Sequence, residues 1–236
     1  MTDIPTAPVK REGRLWAASF DMGSVNYCFH VAELNPAKLK EICKPRIEYA
    51  PNGECTDEMD ACLTQVFKAT KSVIFHVADL KEGLKAPSTD RILANLTQLL
   101  MDYHSYFEQC DFFLIEKQMA FRGISNPLAV RLAHHTESYF MFRFGHARKV
   151  IEYPAYHKTQ ILGAAKVQIP NRKGEIKWTG IDKAGRKKWT VVKAQEIFQA
   201  RGEEGWLEWF MAQAKKDDLA DVLCQLCAYI YKTYAC

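Results

Sequence analysis

The chain has no uninterrupted apolar run of the roughly 18 residues that a membrane-spanning helix needs, so no membrane segment is expected. Its start, Met1-Thr-Asp-Ile-Pro-Thr-Ala-Pro-Val-Lys-Arg11, lacks the apolar core of a secretion signal. It also lacks the Arg- and Ser-rich character of a transit peptide, and it reads as a short flexible lead-in over residues 1–13. There is no internal repeat, no low-complexity tract and no clear interdomain linker, which argues against repeat arrays and disordered segments. Nor is there a regular cysteine framework. The eight cysteines are irregularly spaced, and several fall inside apolar segments. Without a secretion signal such residues are expected to be free thiols in a reducing compartment. Cys224 and Cys227 form a CxxC, but it lies within a helical apolar pattern, where core packing is the simpler reading.

What is present describes a globular protein. Hydrophobic residues make up 48% and charged residues 25% of 236 residues, enough for a full core. The net charge of +4 is unevenly placed. From Arg148 to Lys193 there are 12 Lys/Arg against 3 Asp/Glu, a local +9 that leaves −5 for the rest of the chain. Such asymmetry points to a polyanionic partner, most often nucleic acid. Trp178 and Trp189, inside the basic stretch, argue against a merely solvated loop. Lys166, Arg172, Lys173, Arg186, Lys187 and Lys188 are the candidate contacts.

Residues 14–49 read as three consecutive strands, over Leu15–Phe20, Val25–Leu34 and Lys40–Tyr49. The stretch 50–88 reads as irregular, with a short strand or helix around Val73–Val77. Apolar residues at Ile92, Leu93, Leu96, Leu99, Leu100, Tyr103 and Phe107 predict a helix over Thr89–Gln109, capped by Ser88 or Thr89. Asp111–Glu116 predicts a short central strand. A long helix over Asn126–Phe144 is entered through Pro127. A strand over Lys149–Tyr153 and a short helix or turn over Tyr156–Gly163 follow. Glu175–Trp189 is expected to form a hairpin around Asp182-Lys-Ala-Gly185. Three helices are expected after it, at about 190–201, 204–214 and 215–234. The whole is an α/β fold, residues 14–236 forming one domain with a central mixed β-sheet, a β-meander at its start, flanking helices and a basic insertion at about 164–188.

Acidic residues at the ends of the apolar segments carry the chemistry. Asp21 closes Leu15-Trp-Ala-Ala-Ser-Phe-Asp21, and Glu116 closes Phe112-Phe-Leu-Ile-Glu116. Lys215-Lys-Asp-Asp-Leu-Ala-Asp221 opens the last helix. A carboxylate at the end of a buried strand is costly unless it is paired or holds a cation. Two such strands plus an acidic helix start suggest a hard-metal site, as phosphodiester hydrolysis requires. Two magnesium ions about 4 Å apart can activate a water and stabilise the leaving oxygen. Asp218 and Asp221 are spaced i,i+3, and Asp217 and Asp221 i,i+4, so either pair shares one helical face. Acidic residues are also favoured in a first turn by the helix dipole alone.

Phe20-Asp-Met-Gly-Ser-Val-Asn26, Leu114-Ile-Glu-Lys-Gln118 and Lys216-Asp-Asp-Leu-Ala-Asp-Val-Leu223 together resemble the RuvC-like Holliday junction resolvases of the RNase H superfamily. The chain looks most similar to the branch of poxvirus resolvases and fungal mitochondrial cruciform-cutting endonucleases. The resemblance implies an RNase H-like fold and a magnesium-dependent endonuclease, with Mn2+ as a substitute, that cuts four-way DNA junctions symmetrically as a homodimer. It implies catalytic acids at Asp21, Glu116 and the Asp217/Asp218/Asp221 group, with Asp218 and Asp221 favoured beside Asp21 and Glu116 as metal ligands. It also implies lysines near the scissile phosphate, at Lys158 and at Lys187 or Lys188. Phe121 is the candidate for an aromatic that stacks at the junction, although it falls two residues later than the bacterial pattern. Arg122 and Arg131 are candidate phosphate contacts. No membrane partner and no small-molecule cofactor are implied. The expected location is intracellular, in the cytoplasm, nucleus or a viral replication site, the mitochondrion being also compatible. The rival readings are another RNase H-fold nuclease acting on a different branched or hybrid nucleic acid, an actin-like or sugar-kinase-like ATPase, and a non-catalytic junction-binding protein. The ATPase would need a second DxG copy, which is missing. The loss of catalysis would leave the acids without a purpose.

Overall fold

A computed structural model of the chain describes residues 4–118, 126–170 and 174–236. Two compact units are formed, one from Met1–Asn35 with Ser72–Ala155 and the other from Pro36–Lys71 with Tyr156–Cys236.

The first unit is built on a five-stranded mixed sheet. The chain supplies β1 (Leu15–Asp21), β2 (Tyr27–Leu34), then α1 (Pro36–Lys40) and α2 (Asp57–Lys68) of the second unit, then β3 (Thr70–Ala78). It continues with α3 (Thr89–Asp102), α4 (His104–Phe107), β4 (Phe112–Lys117), α5 (Pro127–Phe144) and β5 (Lys149–Pro154). Strand order is β3-β2-β1-β4-β5. β1 and β2 are antiparallel, whereas β1, β4 and β5 run parallel. Every residue of β2 is buried, as are five of the seven in β1, and the buried polar groups of β2 are paired, His30 with the Ser72 hydroxyl and Glu33 with Arg11. The turn between them requires Gly23. A Cβ there would come within 2.7 Å of the Asn26 carbonyl oxygen. The core gathers Phe20, Phe29, Phe107, Phe113 and Phe140, with Phe113 and Phe140 stacked at 3.8 Å between ring centroids. Helix α3 starts where expected, with Ser88 accepting from the Arg91 amide. α5 is capped by Asn126, whose side chain accepts from the Ala129 amide, with Pro127 in its first turn. The lead-in is tied down: Tyr106 donates to the Pro5 carbonyl, and Lys10 pairs with Asp111 at 3.0 Å.

The second unit contains α1 and α2, then α6 (Ala155–Ile161), β6 (Val167–Pro170), β7 (Ile176–Thr179), α7 (Lys183–Arg201), α8 (Glu204–Ala212) and α9 (Lys216–Tyr234). Helix α9 packs against α1, α2, α7 and α8. Its CxxC belongs to this packing. Cys224 donates to the Thr190 carbonyl at 3.8 Å, and Arg201 donates to the Cys227 sulfur at 3.2 Å. Both thiols are buried, which raises their pKa and leaves them unreactive. All eight cysteines are free thiols. Among the described residues no helix is long and apolar enough to cross a membrane.

Three sequence expectations fail here. Lys40–Tyr49 is not a strand: α1 ends at Lys40, and residues 41–48 carry no regular structure. Pro45 withholds a ladder donor. The backbone nearby is satisfied instead by Cys236, which donates to the Ile42 carbonyl at 2.9 Å and accepts from the Lys44 amide at 2.6 Å. The stretch 50–88 holds the strand expected around Val73–Val77, as β3, but its first part is not irregular, since it forms α2. The predicted hairpin lies earlier in the chain, as β6 and β7 with Gln168 opposite Trp178. Asp182 is not in its turn but caps α7, accepting from the Gly185 amide at 2.7 Å.

Candidate active site

The parallel register pairs Phe20 with Ile115, so Asp21 and Glu116 stand one residue further along neighbouring strands of the first unit. Side chains alternate along a strand. Phe20 and Ile115 point into the core, and the two acids therefore share the opposite face, both partly exposed. This is the placement expected for strand-end carboxylates.

In the second unit the three aspartates occupy the first turns of α9, and two lysines from other helices reach them. Lys158 on α6, only 7% exposed, lies 3.1 Å from Asp221. Lys187 on α7 hydrogen-bonds to Asp217 and lies 3.8 Å from Asp218. Lys188, the next residue, is exposed. A helix turns roughly 100° per residue, so α7 can direct only one of the two lysines at these acids.

The electrostatics separate the acids. Burial pushes the Asp217 carboxyl up, but the Lys187 hydrogen bond and charge outweigh it and hold it below the usual range. Burial and the neighbouring Asp217 and Asp221 raise the Asp218 carboxyl, against the pull of Lys187. The Lys187 ammonium is raised by its hydrogen bond to Asp217 and by the three aspartate charges. A buried lysine, a second lysine and three carboxylates in one small volume form a polar network built at a cost in desolvation, which is characteristic of functional sites. Within neither unit does a group of three or more His, Cys, Asp or Glu side chains, among the described residues, gather as a metal site.

No protein-family model matches the chain. The uncharacterized protein 97L of Invertebrate iridescent virus 3 is 30% identical to it over 223 residues, which cover 90% of this chain and 98% of the relative. The chain belongs to the family of that protein. The uncharacterized protein 170L of Invertebrate iridescent virus 6 is 28% identical over 91% of this chain and 88% of its own length. Among solved structures, the Thermus thermophilus RuvC structure matches with a TM-score of 0.50 and 11% identity over 94% of this chain and 98% of its own. The yeast mitochondrial Holliday junction resolvase Ydc2 matches at 0.51 and 14% identity, over 97% and 82%. Fowlpox virus resolvase, in complex with substrate Holliday junction DNA, matches at 0.50 and 14%, over 92% and 98%. At such identities the likeness is one of fold: this member of the 97L family has the RNase H-like fold of the RuvC-type resolvases.

The remaining sequence candidates are scattered. Arg131 is exposed on α5 of the first unit. Lys166 and Arg186 are exposed in the second unit and border a common cleft. Phe121, Arg122, Arg172 and Lys173 lie outside the described residues. On α5 the neighbouring His134 and His135 have separate partners: the first lies 3.5 Å from Glu137, and the second pairs with the Thr97 hydroxyl at 2.7 Å. Sequence reasoning assigned nothing to Tyr49 and Tyr156, which line the cleft beside Lys166 and Arg186. The only sequence signal was the aromatic spacing of Tyr153-Pro-Ala-Tyr156, which resembles ordinary core patterning.

Proposed function

We propose that this chain is a magnesium-dependent, structure-specific DNA endonuclease that resolves four-way junctions as a homodimer, each protomer cutting one strand. The observation that carries the reading is the lysine-bridged aspartate group at the start of α9, in a fold shared with RuvC-type resolvases. We assign Asp21, Glu116, Asp218 and Asp221 as ligands. The residues suit a hard cation. They offer only carboxylate oxygens, and the Asp218 carboxyl is raised by burial and by like charges, which a cation would relieve. When bound, magnesium supplies an activated water and neutralises charge on the phosphate oxygens. The chain's own residues then have distinct tasks. Lys187 holds Asp217, so that residue serves as its anchor rather than as a ligand. Lys158 pairs with Asp221 and orients it. Either ammonium can shift to the phosphate as negative charge develops there. The exposed basic residues Lys166, Arg186 and Lys188 meet the DNA backbone.

The test is a labelled four-way junction, a linear duplex and an RNA–DNA hybrid, each with and without magnesium. Paired cuts in the junction alone, with magnesium alone, are expected. Asp21→Asn, Glu116→Gln and Asp221→Asn should each lower cleavage at least 100-fold while junction binding is kept, because the acids add nothing to phosphate affinity (on the order of 10²-fold or more for removing a group of this kind). Unchanged cleavage in all three variants, or preferential cutting of the hybrid, would overturn the reading.

A further inference from the structure

A cleft of about 440 Å³ lies wholly within the second unit, and none of the aspartates reaches it. Its walls come from the segment after α1, from α6, and from the chain on either side of the β6–β7 hairpin. Tyr49 and Tyr156 supply rings, Lys166 and Arg186 supply charge, and Thr159 and Gln160 supply polar atoms. Among the described residues, not one that lines it is acidic. The Tyr49 ring is held as a wall by the hydroxyl's hydrogen bond to the Ile161 carbonyl at 3.0 Å. Tyr156 is 48% exposed, and its ring is braced by His157, nearly perpendicular to it at 4.6 Å between centroids. Thr159 is buried and spends its hydroxyl on the Tyr156 carbonyl, which leaves the Gln160 amide as the adaptable donor and acceptor. The Lys166 amide is fastened to the Asn52 carbonyl at 2.7 Å, and its side-chain stem runs over Gly53. A Cβ at Gly53 would lie 3.2 Å from that stem and would sit at φ +83°, so the glycine is what admits the lysine here.

Position in the fold gives the cleft its meaning. On α6, Tyr156, Thr159 and Gln160 are spaced i, i+3 and i+4 and share a face, while Lys158 lies roughly 200° round the helix from Tyr156 and grips Asp221. On α7, Arg186 borders the cleft and the next residue, Lys187, grips Asp217. The two helices that carry the lysines of the aspartate group thus also build the cleft.

We propose that this cleft receives one unpaired nucleotide of the strand to be cut, its base stacked on Tyr156 and its phosphate held by Lys166 and Arg186. The inference rests on the nuclease reading and deepens it by naming what is recognised beside the cut. A volume in the range of small-molecule pockets holds a single base and sugar. An aromatic face paired with cations is how unstacked bases are bound without strict sequence selection. The Gln160 amide can hydrogen-bond the base edge and so bias the enzyme toward certain bases next to the cut.

The test uses the full chain in EDTA and a short fluorescent oligothymidylate as the probe. Gly180→Phe places a ring at the wall of the cleft, where a Cβ meets nothing within 4 Å and so leaves the fold unstrained. Both Gly180→Phe and Tyr156→Ala should weaken oligothymidylate binding about tenfold or more, the effect of losing one stacked base. Tyr156→Phe keeps the ring and should bind like the wild type. Binding by Gly180→Phe within threefold of wild type, or no binding by the wild-type chain, would overturn the cleft assignment. Melting temperatures check that each variant is folded, and Gly180→Phe decides the matter if Tyr156→Ala is not. Junction cleavage with magnesium is measured on the wild type in parallel. Its absence sinks the nuclease reading while the oligothymidylate result stands, and cleavage with an unaffected Gly180→Phe sinks the cleft alone.

Discussion

Asp217 and Asp218 are neighbours in sequence with opposite titration behaviour, and that contrast makes the site testable without a substrate. Asp217 has a lowered folded-state pKa, so its pairing with Lys187 stabilises the fold above the ordinary carboxylate range, and this is lost as pH falls through the folded value. Lys187 is raised, so its share is present below the ordinary lysine value and lost as pH rises through the folded value. The pair therefore acts between about pH 4 and about pH 10. Lys187 is 42% exposed, so Lys187→Ala should cost at most about 1 kcal/mol at neutral pH. Thermal melts of this variant and the wild type should converge below about pH 3. Asp218 has the reverse sign. Its folded pKa is raised, so ionisation burdens the fold above that value and the burden is absent at low pH. Asp218→Asn should thus melt higher than the wild type at pH 7 without magnesium. Millimolar magnesium should raise the melting temperature of the wild type and not of Asp218→Asn. A magnesium shift that survives in the variant would remove Asp218 from the ligand set and favour Asp217.

At the scale of elements, the strand-end acids depend on the aromatic layer beneath β1 and β4. Phe107 is fully buried and touches Phe20, Phe29, Phe113 and Phe140. Phe107→Ala should cost about 3–5 kcal/mol, read by urea unfolding. Helix α2 carries clear sequence signals, although the stretch around it reads as irregular. Thr56 caps it, Asp57, Glu58 and Asp60 fill its first turn, and Met59, Cys62, Leu63, Val66 and Phe67 recur at helical spacing. The turn signal Pro51-Asn-Gly53 just before it masks them. Asp182 misleads for another reason: Asp is favoured both in turns and at helix N-caps. Because it caps α7, Arg186 and Lys188 sit at the exposed start of a long helix rather than in a loose hairpin. Changing Lys166, Arg186 and Lys188 together to Ala should flatten the dependence of log K on log salt by roughly 0.9 for each phosphate no longer neutralised. An unchanged slope would mean these residues face solvent in the complex.

At the scale of the whole molecule, the proposed junction cleavage needs two coordinated cuts from a chain with one set of acids, and a two-fold assembly is therefore part of what we propose. On α5, Phe142 is 88% exposed and Met141 52%, two large apolar side chains that a partner protomer could cover. Phe142→Glu should move the protein from dimer to monomer in sedimentation at micromolar concentration. With it, single nicks should replace paired cuts. A wild-type monomer that still makes paired cuts would show the assembly model to be wrong.

The three acidic segments, the apolar strands that end in them and the basic stretch were all legible in the amino-acid sequence. Each is local: a run of buried residues, a charge at its end, a count of lysines. The antiparallel β1–β2 start and the long α5 followed from period and turn chemistry in the same way. Which lysine serves which aspartate was not legible, because Lys187 and Lys188 differ only by the turn of a helix whose start the sequence misplaced. Nor could the sequence bring Tyr49, Tyr156, Lys166 and Arg186 to one cleft, since they are far apart along the chain and each alone looks like an ordinary surface or core residue. Pairings of that kind are set by helix packing over long sequence separations, and only the tertiary structure decides them.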